Sequence, residues 1–167
     1  MFIFPEGSAH ALPRLCPNII SLAEIISGLP LSIDARFDLL YAEVEAQLIH
    51  CTPLHLSHQD CVLKGAGIYA IYYCGELVYI GSTDELKTRL RDHRTSVMNA
   101  TRIDIADVTY RCTAVGRHAA KSVEGRLIEH YSPPWNYSGF GSKANGNGRR
   151  HQRQSVWDST YGRAAKR

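Results

Sequence analysis

No stretch of this 167-residue chain is apolar for the length needed to span a bilayer. The opening MFIFPEGSAHALPR has neither the charged start nor the long apolar run of a signal peptide. Together these absences predict a cytoplasmic protein with no membrane partner. Paired cysteines are missing as well. Cys16, Cys51, Cys61, Cys74 and Cys112 are odd in number, scattered, and never spaced CxxC, which fits reduced thiols better than a disulfide framework. There is no internal repeat and no long low-complexity segment. What the C-terminal end lacks is acid: residues 141–167 carry Lys143, Arg149, Arg150, Arg153, Arg163, Lys166 and Arg167 against Asp158 alone. Residues 1–66, in contrast, hold three basic and seven acidic side chains, and residues 67–140 nearly balance at nine and eight. A basic tail rich in Gly and Asn suits a polyanion such as nucleic acid, although charge alone suits a solvated tail equally well.

What is present is ordinary for a globular chain, 44% hydrophobic and 21% charged residues, enough for one compact domain with a decorated end. NIISLAEIIS, residues 18–27, reads as a helix. A second follows Ser32 as N-cap, with Phe37, Leu40, Tyr41, Val44 and Leu48 on one face. Residues 50–64 read as a loop. From Gly67 the texture becomes β-branched and aromatic: Ile68–Cys74, a turn at Gly75-Glu76, and Leu77–Ile80 predict an antiparallel hairpin. Ser82 and Glu85 have capping-box spacing and predict the start of a helix through Leu86, Leu90 and His93. Asp107–Val115 reads as a third strand. Ala119–Tyr131 reads as a helix that Pro133-Pro134 stops. The order β-β-α-β-α predicts a small α/β sandwich, a three-stranded antiparallel sheet flanked by helices, with helices before it and a basic extension after it.

Chemistry-bearing residues recur along that framework. Arg89 and His93 are four apart on one helix, so their side chains point the same way; singly, each also reads as a surface residue, Arg89 pairing with Glu85 or Asp92. Glu124 sits beside Val123 on a helix face with Leu127 and Ile128, where a carboxylate is costly unless paired or bound to metal. Glu129 falls on the polar face. Asn136 follows a helix-ending Pro-Pro-Trp, where an amide commonly caps or pins a turn.

GIY at 67–69, YIG at 79–81, Arg89, His93, Glu124 and Asn136 occur in an order and spacing that resembles the GIY-YIG nuclease superfamily over about residues 67–137. The flank is similar to that superfamily's type II restriction endonucleases: Gly139-Phe140-Gly141, Gly148-Arg149, Ser155-Val156-Trp157-Asp158 and Gly162-Arg163 match their Gly/Arg-rich tail. Among them it is most like the group that cuts GC-rich palindromes such as CCGCGG. The resemblance implies a type II restriction endonuclease (EC 3.1.21.4) acting on double-stranded DNA. It implies three regions within one compact unit: 1–66, helical, for DNA wrapping or dimer contacts; 67–140, the catalytic core; and 141–167, contacting DNA.

The resemblance also implies roles. Glu124 would be the sole protein carboxylate on a divalent ion, Mg²⁺ with Mn²⁺ as a substitute, which suits an ion that keeps waters and phosphate oxygens as ligands. Arg89 would clamp the scissile phosphate. Tyr69 would orient or deprotonate the attacking water, His93 would accept the phenolic proton, Tyr79 would bond the phosphate or the water, and Asn136 would hold the geometry. Many relatives carry Lys or Arg directly after YIG; Ser82 stands there in this chain, which places more weight on Tyr69 and His93. Lys143, Arg149, Arg150 and Arg153 would contact DNA, and cutting both strands of a palindrome implies a homodimer. A homing or repair-type nuclease and a non-catalytic DNA-binding module are the rival expectations. His50, Cys51, His55, His58 and Cys61 have zinc-ligand chemistry, but at a spacing that matches no familiar finger and fits a polar loop better.

Overall fold

A computed structural model describes residues 31–57, 63–141 and 155–162. The helix expected at residues 18–27, the tail residues Lys143, Arg149, Arg150 and Arg153, and His58 and Cys61 of the zinc idea lie outside the described residues. In chain order the elements are α1 (Ile33–His50), β1 (Leu54–His55), β2 (Gly67–Tyr73), β3 (Glu76–Thr83), α2 (Leu86–Met98), a 3₁₀ turn (Ile105–Asp107), β4 (Val108–Ala114), α3 (Arg117–Tyr131), a 3₁₀ turn (Pro134–Tyr137) and α4 (Val156–Tyr161). The sheet has order β1-β4-β2-β3 with every pair antiparallel. It has four strands, not the expected three. The addition is the two-residue β1, where Leu54 and His55 pair with Tyr110 and Thr109 inside a stretch that reads as loop. So short a strand leaves no periodicity for sequence to reveal.

Central β2 is buried on both faces, which is why GIYAIYY is almost continuously apolar instead of alternating. Tyr69 and Ile71 join Tyr79, Leu86, Leu90, Val97, Trp135, Phe140 and Trp157 in the core on the α2 side. Ile68, Ala70 and Tyr72 join Ile80, Val123, Leu127 and the α1 residues Tyr41, Val44 and Leu48 on the other. The period-two alternation of a strand thus divides one run of residues between two cores. In the β2–β3 hairpin, Ile71 pairs with Tyr79 but Tyr72 with Leu77, so Val78 is the extra residue of a bulge.

Helix termini follow local chemistry, with one correction. Ser32 caps α1, its hydroxyl accepting from the Ala35 N–H at 3.2 Å. Ser132, with φ 46°, ends α3 just before the two prolines. The capping box expected at Ser82 and Glu85 does not form: Ser82 is still in β3, and Glu85 is the N-cap of α2 without a side-chain cap bond. Thr83 Oγ1 instead accepts from the Glu85 N–H at 3.2 Å. Ser82 is held by strand pairing to Ile68, and ladder bonds outweigh a single cap.

Helix α1 seals one face of the sheet, so its core residues are expected to share the stability of the strands. Leu48→Ala, at a fully buried site, is expected to cost about 2–5 kcal/mol, read as a lower denaturation midpoint in one transition shared by helix and sheet signals. A separate early transition for helix signal alone would show that α1 is not part of the cooperative unit.

Candidate active site

Tyr69 and Tyr79 converge because of strand register. Tyr69 lies opposite Gly81, and Tyr79 is two residues away from Gly81 on β3, hence on the same face. The two rings are 6.0 Å apart. A Cβ on Gly81 would fall 2.5 Å from Tyr69 Oη and 2.9 Å from Tyr79 Cε1, so only glycine leaves room for both rings.

Helix α2 brings Arg89 and His93 over this face. His93 Nε2 is 2.7 Å from Tyr69 Oη, and Arg89 Nε donates to the same oxygen at 3.3 Å. The Tyr69–His93 hydrogen bond takes its direction from the imidazole tautomer: with the phenol as donor to Nε2, the ring hydrogen is on Nδ1. Burial first, and then the Arg89 charge, lower the His93 pKa to about 3, so the imidazole is neutral near pH 7. Burial also pushes the Tyr69 phenol well above its usual 10; nearby Tyr79 adds to the rise and Arg89 opposes it.

The segment after the second 3₁₀ turn closes over this cluster. The Phe140 ring stacks on His93 at 4.8 Å and meets Tyr79 edge-on at 5.2 Å. Arg89 Nη2 donates to the Gly141 carbonyl oxygen. Gly141, with φ 73°, passes so close that a Cβ there would lie 2.8 Å from His93 Cε1 and 2.9 Å from Tyr79 Oη. Tyr69 is left with no exposed surface.

Glu124 approaches edge strand β3 from α3, which packs on the other face of the sheet. It is 7% exposed, and its Oε2 accepts from Ser82 Oγ at 2.6 Å and from Lys121 Nζ at 2.8 Å. Asn136 pins a strand, not a turn. Its Oδ1 accepts from the Ile80 N–H at 2.9 Å, and its Nδ2 donates to the Ile80 carbonyl at 2.7 Å, so one amide satisfies both backbone groups of Ile80 on edge strand β3.

Of the sequence candidates, Tyr69, Tyr79, Arg89 and His93 thus form one contact cluster. Glu124 and Asn136 do not touch that cluster but join it through β3. Four consecutive residues carry the joints: Tyr79 by its ring, Ile80 by its backbone, Gly81 by its lack of a side chain, and Ser82 by its hydroxyl. Sequence reasoning missed Ser82 and Lys121 as partners of Glu124, and Phe140 and Gly141 as neighbours of the tyrosines. Lys121 had a usable signal, three residues before Glu124 on one helix; Phe140 and Gly141 are brought in only by the tertiary fold. Among the described residues no group of three or more His, Cys, Asp or Glu side chains could hold a metal ion.

The buried neutral His93 makes stability depend on acid. An unfolded chain protonates this histidine near 6.5 and the folded chain only near 3, so stability falls as pH drops from 6.5 toward 3. From pH 7 to pH 5 the expected loss from this group is about 2 kcal/mol. Denaturant titrations at the two pH values should show a smaller drop for His93→Gln by that amount; an equal drop would mean that His93 already takes up its proton in the folded chain.

The model of the Eco29kI GIY-YIG domain family matches residues 77–166. The match takes in YIG, Arg89, His93, Glu124, Asn136 and most of the basic tail, while GIY lies just before it and is joined to YIG by the β2–β3 pairing. No curated protein matches the chain. Solved structures similar to it include the GIY-YIG N-terminal endonuclease domain of UvrC from Thermotoga maritima bound to its catalytic divalent cation, magnesium. That structure is 23% identical, with 47% of this chain and 90% of that one covered and a TM-score of 0.37. Another is a mutant of bacteriophage T4 EndoII, 22% identical, with 60% of this chain and 98% of that one covered and a TM-score of 0.39. With the family match spanning more than half of the sequence, the chain belongs to the Eco29kI GIY-YIG domain family of the GIY-YIG nucleases.

Proposed function

We propose that the protein is a type II restriction endonuclease that cuts double-stranded DNA at a specific GC-rich palindrome, with one divalent ion, Mg²⁺ or Mn²⁺, at Glu124 of each active site. The observation that carries this reading is the Tyr69 oxygen held between a permanent cation, Arg89, and a neutral base, His93. A phenol in that setting can pass its proton one way while taking another from water. The restriction role is supported by the family matched, whose model runs on through Ser155-Val156-Trp157-Asp158 and the Gly-Arg close.

Glu124 fits a divalent ion. Its Oε2 already has two donors, and its Oε1 takes none among the described residues, so one oxygen is anchored and the other remains for a cation. When bound, the ion would relieve charge on the phosphate and on the leaving oxygen. The chain's own residues do the rest. Arg89 leaves the Gly141 carbonyl to bind the scissile phosphate, and the Gly139–Gly141 segment shifts to admit it, because Tyr69 is otherwise sealed. Once Arg89 is engaged by a phosphate, one of the two causes that depress His93 is offset. Tyr69 then hands its proton to His93 Nε2 as it takes one from the attacking water. Tyr79 bonds the phosphate or the water, and Asn136 keeps Ile80, and with it Tyr79 and Gly81, in place.

Lys143, Arg149, Arg150 and Arg153 would bind phosphates, and an arginine on guanine O6/N7 would read a base. Residues 1–66 would wrap DNA or form the contacts of a homodimer that presents two sites to a two-fold sequence.

Plasmid cleavage with Mg²⁺, with and without chelator, tests the reading. Wild type is expected to give discrete fragments that chelator abolishes, and Glu124→Ala to shift DNA in a gel while cutting at least about a hundredfold more slowly. Undiminished cutting by the variant would remove Glu124 from the chemistry. Smears or nicks from wild type would point to a homing or repair-type nuclease, and DNA binding with no cleavage in Mg²⁺ or Mn²⁺ to a non-catalytic module.

A further inference from the structure

We infer that Ser82 is the positioning residue for the divalent ion, and that Lys121 is the counter-charge which the ion displaces; this rests on the reading of Glu124 as the ion's ligand. Two donors converge on one carboxylate oxygen, Ser82 Oγ at 2.6 Å and Lys121 Nζ at 2.8 Å from Glu124 Oε2. They are donors of different kinds. Ser82 is short, neutral and set in the β2–β3 ladder opposite Ile68. That ladder fixes the Ser82 backbone, and just past the strand Asp84 also pairs with Arg117 in the first turn of α3 at 2.7 Å. Lys121 is charged, flexible and 84% exposed.

The physical consequences diverge accordingly. A carboxylate with one oxygen anchored by a rigid neutral donor presents its other oxygen in one direction, which is how outer partners tune metal sites. Ser82 gives that orientation without competing for charge. Without an ion, a largely buried carboxylate needs a positive partner, and Lys121 supplies it from the same helix. A divalent ion on the same carboxylate makes that ammonium redundant and repelled, and its exposure lets it swing away. The hydroxyl therefore favours the ion and the ammonium opposes it, although both donate to the same oxygen.

Mn²⁺ titrations of the purified full chain without DNA, followed by the electron paramagnetic resonance signal of the free ion, separate the two roles. Ser82→Ala is expected to weaken Mn²⁺ binding about tenfold, Ser82→Thr to restore it to within about twofold of wild type, and Lys121→Met to tighten it about two- to fivefold. Glu124→Ala should abolish it. Melting curves of each variant monitor folding, and Ser82→Thr and Lys121→Met remain informative if Ser82→Ala is unstable. Wild-type affinity in Ser82→Ala, or failure of Ser82→Thr to bind, would overturn the positioning role; weaker binding in Lys121→Met would overturn the counter-charge role. If Glu124→Ala loses the ion while the Ser82 and Lys121 variants bind as wild type, only this inference falls. If Glu124→Ala binds as wild type, the assignment of the ion to Glu124 falls first.

Discussion

The antiparallel pairing of Tyr69 with Gly81 is the constraint on which the site depends. It places the last residue of one triplet across from the last residue of the other, so that the phenol lies over a position with no side chain. A shift of one residue would turn Tyr69 away from Tyr79 and toward the face that α1 and α3 cover. Every other joint is measured from this register. Asn136 reaches Ile80, Ser82 reaches Glu124, and α2 lays His93 on the phenol oxygen. The bulge at Val78 ends the regular ladder beyond Tyr79 and leaves these four residues in register.

Burial then sets the charge states. Desolvation first, and the Arg89 cation second, drive the neighbouring imidazole to its neutral form, and desolvation keeps the proton on the phenol between them. The resting cluster satisfies its own hydrogen bonds, with the Gly141 carbonyl occupying the guanidinium. In the proposed mechanism the bound phosphate supplies the charge that redistributes these groups. In the proposed reading the same logic extends to Glu124, where Lys121 holds the place of the divalent ion.

Most elements were legible because each rests on a local signal. The α1 stripe from Phe37 to Leu48, the hairpin turn at Gly75, and the stop at Pro133-Pro134 all act within a few residues. The fourth strand was not legible, because Leu54 and His55 become a strand only by pairing with β4. The cap at Ser82 was misread because local spacing was right while a long-range ladder and a carboxylate 42 residues away competed for the same residue. Phe140 was visible only as part of a tail motif, and nothing local showed that its ring would stack on His93.

What the sequence by itself determined is the inventory and its order: two triplets, an Arg–His pair one helical turn apart, one carboxylate on an apolar face, one amide after two prolines. Helical and strand periods decide which neighbours share a face, and that much is short-range geometry. Only the tertiary structure decided which atoms meet. It set His93 Nε2 against the Tyr69 oxygen, made His93 neutral by burying it, closed Gly141 over Arg89, and brought Ser82 to the Glu124 oxygen. Those outcomes depend on desolvation and on contacts between residues tens of positions apart, which no local pattern encodes.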